Sequence, residues 1–282
     1  LPPAVSFISF LISAPVASLV AFQSFRRGWD PDLVLYPIMS TVNDLVLTAS
    51  FTILAIVLKR SFFLVAAISA FSLAIAFVIL ARRSSDKNFR RSVSEGGVSV
   101  LLASTLGVIN GVLLSNARSR VRRLPGIFLI YPAIIDAAGD VGSMLGSTST
   151  TRLALGLSDS FADEVRSRVL DLIPIGASAA LIHLCFGLLS YAICKIAGLH
   201  IFLLDLVAIS VLSCLLVLIP ISLASLLIAF LTFRRGLDPD NFVIPLVASL
   251  ADTMATLAIL ASIKLCGSGI TVMRVSKSGG PT

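Results

Sequence analysis

Apolar residues along this chain gather into long runs separated by short, charged stretches. Eight such runs stand out, at residues 3–23, 33–58, 62–80, 96–114, 126–146, 172–196, 203–231 and 242–263. Their lengths suit helices crossing a bilayer core of about 30 Å. None alternates strictly between apolar and polar, as a half-buried strand would, and a membrane barrel would show shorter alternating segments. The pattern predicts an all-α, polytopic transmembrane helical bundle of about eight helices. Most connections are short and basic, as at residues 82–91 and 118–123. The longest follows the fifth run and contains SDSFADEVRSR, expected as a short amphipathic helix or a solvated link.

Composition agrees with that pattern. The chain has 282 residues, 57% of them hydrophobic and 13% charged, where a soluble domain carries about a quarter charged residues. Its net charge of +7 comes from loop Arg and Lys that meet headgroups and set topology. No basic face with interleaved aromatics appears, so no nucleic-acid partner is expected. Twelve of the 22 cations fall on the side where the second run starts, a small bias toward that side being cytoplasmic. Cys185, Cys194, Cys214 and Cys266 lie in or beside apolar runs without metal-ligand spacing and are read as packing residues. The expected place is the cell membrane, as a multi-pass protein in contact with lipid. The chain opens at Leu1 almost inside an apolar run, and is expected to be a fragment of a longer protein.

The chain also repeats itself. Residues 22–44 align without gaps on residues 230–252, with ten identities in 23 positions. They include Arg26/Arg234, Arg27/Arg235, Gly28/Gly236, Asp30/Asp238, Pro31/Pro239, Asp32/Asp240, Pro37/Pro245 and Asp44/Asp252. Shared hydrophobicity does not produce identities in charged residues, Gly and Pro, so a duplication is expected. The two copies fall in the second and eighth runs, six crossings apart, which points both the same way. The expectation is two parallel repeats related by a pseudo-two-fold axis along the membrane normal. Residues 1–60 would be the last two helices of the first copy, and 61–94 a connector helix with a basic loop. Residues 95–270 would be a complete five-helix second copy, and 271–282 a tail. The pair of repeats makes a pseudo-dimer in one chain; whether it oligomerises further is left open.

Each repeated helix carries a polar stripe. Pro245, Ser249, Asp252 and Thr256 share one face at spacings of four, three and four, and Pro37, Thr41, Asp44 and Thr48 repeat it. Asp252 falls roughly 16 Å into its helix at 1.5 Å per residue, near mid-bilayer. A carboxylate there costs about 2.5–3.5 kcal/mol on insertion scales, so it is expected to face a cavity, a partner or an ion. The prolines leave a carbonyl four residues earlier without its donor. Two carboxylates with hydroxyls and loose carbonyls suit a hard divalent cation, and magnesium would keep much of its water. The alternative is that both aspartates are protonated or paired for packing. The turn FRRGLDPDN has a structural reading: Pro239 starts the helix, Asp238 and Asp240 favour its dipole, and Arg234 and Arg235 anchor at the interface.

A third constellation lies at residues 131–156, YPAIIDAAGDVGSMLGSTSTTRLALG. Its small residues permit close helix packing, and its hydroxyls would satisfy backbone at a buried helix end. Asp140 is a candidate third metal-binding carboxylate, with Asp136 and Ser143 as candidate lining residues. Asp205, Asp171 and Glu95 are expected at the interface, and His183 and His200 as buried or rim residues.

RRGLDPDNFVIPLVASLADT resembles the loop and last transmembrane helix of the MgtE magnesium channel family and its solute carrier 41 relatives. LPGIFLIYPAIIDAAGDVGSMLGSTSTTRLALG resembles that family's second helix, with Gly139-Asp140 where Gly-Asn is usual. The resemblance implies a magnesium pathway at a two-fold axis, with the last helix's aspartate at Asp252 and Asp44. Magnesium is then the transported ion, other divalent cations being possible. No counterpart of the bacterial sensing domains is expected within these residues, so their gating is not carried over. A proton- or sodium-coupled divalent cation exchanger would use the same two aspartates. An intramembrane aspartyl protease needs Gly-x-Gly-Asp, whereas Ala137 and Ala138 precede Gly139 and Asp140 here. The chain is therefore read as a transporter and not an enzyme.

Overall fold

The computed structural model describes residues 1–121, 124–199 and 201–266. The expected tail at 271–282, His200 and part of the basic loop at 118–123 lie outside the described residues. The order of elements is α1 (Pro2–Arg26), α2 (Pro31–Arg60), α3 (Phe62–Arg83), α4 (Lys87–Val121), α5 (Pro125–Ala154), α6 (Phe161–Arg168), α7 (Leu172–Ile196), α8 (Leu203–Arg234) and α9 (Asp240–Cys266). All but α6 are long and apolar enough to cross a membrane, and there is no strand among the described residues. The protein is an all-α polytopic bundle.

Polar residues at the boundaries explain where the helices start. The Asp30 carboxylate accepts from the Asp32 amide at 2.9 Å, with Pro31 preset for the first turn of α2. Ser61 caps α3 through the Leu64 amide at 3.3 Å. Asp86 accepts from the Asn88 and Phe89 amides at 3.0 and 3.3 Å. That cap starts α4 at Lys87, well before the apolar run at residue 96. The GSTSTT stretch, expected at a helix end, instead stays inside α5. Thr148 and Thr150 donate back to the Met144 and Gly146 carbonyls at 2.7 and 3.0 Å, so these hydroxyls need no outside partner.

The stretch expected as a short helix or solvated link contains the short helix α6, with Asp163 and Arg166 exposed and Glu164 and Arg168 buried. Glu164 is fully buried and accepts from Ser158 and, at 3.4 Å, from Arg168. Arg168 also donates to Asp171 at 2.9 Å.

The chain forms two compact units. Among the described residues the first comprises 1–101, 143–157 and 228–244, and the second 102–142, 158–227 and 245–266. In the first, α1, α2 and α3 pack together around Ala4, Val5, Leu54 and Val65. In the second, the core gathers Ile127, Ile130, Tyr131 and Ile134 of α5 with Leu206 and Ile209 of α8 and Ile259 of α9. Large apolar side chains such as Phe63, Phe77 and Leu204 stay exposed; in water they would be an aggregation surface, in lipid they are ordinary.

Within the first unit, the two turns of the repeated sequence have the same backbone. Gly28 and Gly236 both adopt left-handed φ, +73° and +69°, which only glycine takes without strain. The Gly28 and Trp29 amides bond to the Phe25 and Ser24 carbonyls at 3.0 Å each; 208 residues later Gly236 and Leu237 do so to Phe233 and Thr232 at 2.9 and 3.0 Å. Both are Schellman endings. Asp238 caps through the Asp240 amide at 3.2 Å as Asp30 does through Asp32. Arg26 lies over the Phe22 ring at 5.7 Å and Arg234 over Phe230 at 5.3 Å.

Candidate ion pathway

Along α9 the sequence places small and β-branched residues on one face and polar ones on the other. Val243, Val247, Ala251 and Ala255 are all fully buried. The stripe of Pro245, Ser249 and Asp252 is half-buried, and Thr256 at its far end is buried. Asp252 lies 12 residues after the first residue of α9, about 18 Å along the axis. Asp252 is thus a carboxylate on the open side of a helix whose other side is sealed.

Helix α5 runs antiparallel to α9 within the second unit. Tyr131 meets Thr256 at 2.6 Å between hydroxyl oxygens. A Cβ built on Gly139 would stand 3.7 Å from the Ala251 Cβ, and one on Gly142 only 2.5 Å from Val247 Cγ1. These three contacts set a register that carries Asp136 to about the level of Asp252 and Asp140 to about that of Ser249. Asp136, Asp140 and Asp252 each take part in polar or electrostatic interactions. The Asp252 carboxylate lies within electrostatic reach of Tyr131. The side chain of Asn110, on α4, reaches Thr256 at 3.2 Å. Neither Asn110 nor Tyr131 belongs to a stripe in the sequence, so pattern reading passed over both.

The counterpart stripe on α2 belongs to the first unit. Thr41, Asp44 and Thr48 are exposed and Pro37 is half-buried. Thr41 and Ser40 donate to the Pro37 carbonyl at 3.2 and 3.3 Å. Ser143, on α5, is 5% exposed.

Beside the two repeated turns the first unit collects acidic groups. Asp32 and Asp240 lie within electrostatic reach of each other, and Tyr36 of both. Thr151 of α5 donates to the Asp32 carboxylate at 3.1 Å. Glu95, expected at the interface, is only 9% exposed. Its Oε1 accepts from Arg91 Nε at 2.6 Å, and its Oε2 from the Asp238 amide at 3.0 Å and Asn241 Nδ2 at 3.1 Å. Arg91 also donates to the Gly236 carbonyl at 2.5 Å. This brace ties α4 to the α8–α9 turn. Nothing in the sequence marked Glu95 for a contact 143 residues away.

Other polar candidates are structural. His183 is 1% exposed and its Nδ1 bonds to the Ala179 carbonyl at 2.8 Å. Of the cysteines, Cys194 and Cys214 are buried packing residues, whereas Cys185 is exposed. Among the described residues no three His, Cys, Asp or Glu side chains converge on one metal-sized point. Beyond its first turn α9 carries one carboxylate, Asp252.

No solved structure matches the chain. Residues 131–262 match the model of the MgtE family, described as divalent cation transporter. Asp136, Asp140 and Asp252 lie inside that stretch, and Asp44 outside it. The protein is thus an integral membrane protein, and its residues 131–262 match the domain of a transporter family, the MgtE divalent cation transporters.

Proposed function

We propose that the protein carries magnesium across the membrane along the polar stripe of α9 and its counterpart on α2, with Asp252 and Asp44 as the two carboxylates of one path. The observation that carries this reading is Asp252 itself, half-buried about 18 Å into a transmembrane helix whose opposite face is sealed. Duplication supports the pairing: ten identities in 23 positions, and turns that repeat φ, caps and ring contacts at the same offset. In this reading residues 1–60 and 95–270 are the two copies, with α3 as the connector that keeps them parallel.

Magnesium fits the donor set. It gives up water reluctantly and is usually held by one or two carboxylates through a retained shell. Ser249, Thr41 and Thr48, with Asp136, Asp140 and Ser143 on α5, would face that shell, Thr256 would hold Tyr131 and Asn110 beside it, and Pro245 and Pro37 would each free a carbonyl above it. The place of action would be the cell membrane.

The test is magnesium uptake into proteoliposomes by the wild type, Asp44→Asn and Asp252→Asn. Loss of at least tenfold in both, with protein still inserted and monodisperse, is the expected result. Wild-type flux in both would sink the paired site. Uptake that follows voltage with no counter-ion gradient would mark a channel, and dependence on a proton or sodium gradient an exchanger.

A further inference from the structure

Thr256 stands at the crossing of three contacts. Its Oγ1 is 2.6 Å from the Asp252 backbone carbonyl, 2.6 Å from the Tyr131 hydroxyl and 3.2 Å from the Asn110 side-chain amide. A hydroxyl has one hydrogen to give and two lone pairs to receive with. The Asp252 carbonyl can only accept, and at 2.6 Å it takes that hydrogen. The same hydrogen cannot also serve the Asn110 oxygen at 3.2 Å. A half-turn of the Asn110 amide about Cβ–Cγ presents its NH2 group instead, and such amide orientations are set by the network. Tyr131 must likewise donate. Thr256 is then saturated by one donated and two accepted bonds.

That saturation fixes what the other two residues have left. Tyr131 has spent its only hydrogen and keeps oxygen lone pairs, and Asn110 keeps its carbonyl oxygen. Both side chains contact Thr256, one helical turn from Asp252, and the Asp252 carboxylate is within electrostatic reach of Tyr131. A hydrated cation presents only water hydrogens to its surroundings, so a surface that recognises it must be built of acceptors.

We propose that Asn110 and Tyr131 are specificity residues of the Asp252 site, accepting hydrogen bonds from the water shell of a small, strongly hydrated divalent cation that passes with much of that shell in place. The proposal rests on the reading of Asp252 as an ion site. It adds α4, through Asn110, to a path otherwise assigned to α9 and α5. Water-mediated contacts of this kind are enthalpically nearly as good as direct hydrogen bonds. An ion that sheds its water readily, such as calcium, gains less from them.

The experiment measures magnesium uptake into proteoliposomes over a range of concentrations, with and without competing calcium, for wild type, Tyr131→Phe, Asn110→Leu and Asp252→Asn. Tyr131→Phe strands no donor, because Thr256 keeps its bond to the Asp252 carbonyl, so this variant folds and decides alone if Asn110→Leu does not. The expected result is a half-saturating magnesium concentration raised about tenfold, a narrowed preference over calcium, and an unchanged maximal flux. Wild-type half-saturation and preference in Tyr131→Phe and in folded Asn110→Leu, alongside loss of uptake in Asp252→Asn, would overturn this proposal and leave the Asp252 site standing. A drop in maximal flux with half-saturation unchanged would also overturn it, marking the two residues as packing. Wild-type uptake by Asp252→Asn would overturn the site and the proposal together.

Discussion

Gly142 shows how little space the α5–α9 seam leaves. A Cβ there would stand 2.5 Å from Val247 Cγ1 and 2.8 Å from Ile221 Cγ1, and the Gly142 carbonyl already accepts from Ser225. Gly142→Ala must displace two buried branched side chains, and overpacking of that kind costs about 1–3 kcal/mol. The same change at Gly111, where a Cβ meets nothing within 4 Å, removes a helix-interior glycine and gains about 0.5–1 kcal/mol. Thermal unfolding in detergent should therefore show Gly142→Ala melting below the wild type and Gly111→Ala at or above it; the reverse order would contradict the seam. Residues of this kind differ in how far the sequence announces them. Asp252 stands out because a charge in an apolar run is rare, and Gly142 could be suspected from its small neighbours. Asn110 and Tyr131 could not, since one amide and one phenol among apolar residues gain meaning only when a fold brings them to the same hydroxyl.

Among the elements, the brace on α9 makes the clearest prediction. Glu95 accepts from the Asp238 amide at 3.0 Å and from Asn241 at 3.1 Å, holding the first turn of α9 to α4. Glu95→Ala should speed hydrogen exchange at the Asp238 amide about tenfold or more, since hydrogen bonds to a charged group are among the stronger ones. The matched turn at residues 26–33 should exchange as before. Mass spectrometry of peptides covering the two turns reads both at once, and equal change in both would show that Glu95 acts globally. The eight long helices were legible in the sequence because runs of apolar residues long enough to span a bilayer leave few alternatives. Their ends were less so. Helix α4 begins at Lys87 on the Asp86 cap, and α5 continues to Ala154 through hydroxyls that bond to their own helix. In both places local hydrogen bonding carries a helix beyond the apolar stretch that marks it.

For the molecule as a whole, a crossing by each of the eight long helices among the described residues predicts the connections after α1, α3, α5 and α8 on one side of the membrane and those after α2, α4 and α7 on the other. With the native cysteines replaced, Ser85→Cys and Asp159→Cys should react with a membrane-impermeant thiol reagent from the same side, and Gly198→Cys from the opposite side. Labelling of Asp159→Cys together with Gly198→Cys would mean that a span has been miscounted.

The two repeated turns have one further consequence. They share a backbone but not their supports. Asp32 is tied to Thr151 on α5, whereas Asp238 is tied to Glu95 on α4. In an assembly of identical chains every substitution arrives twice, so neither side can change without the other. Here separate codons specify each turn, and one can be tightened or loosened while its twin stays as it was. A single polypeptide of this kind is free to let its two turns diverge, each held to a different neighbour.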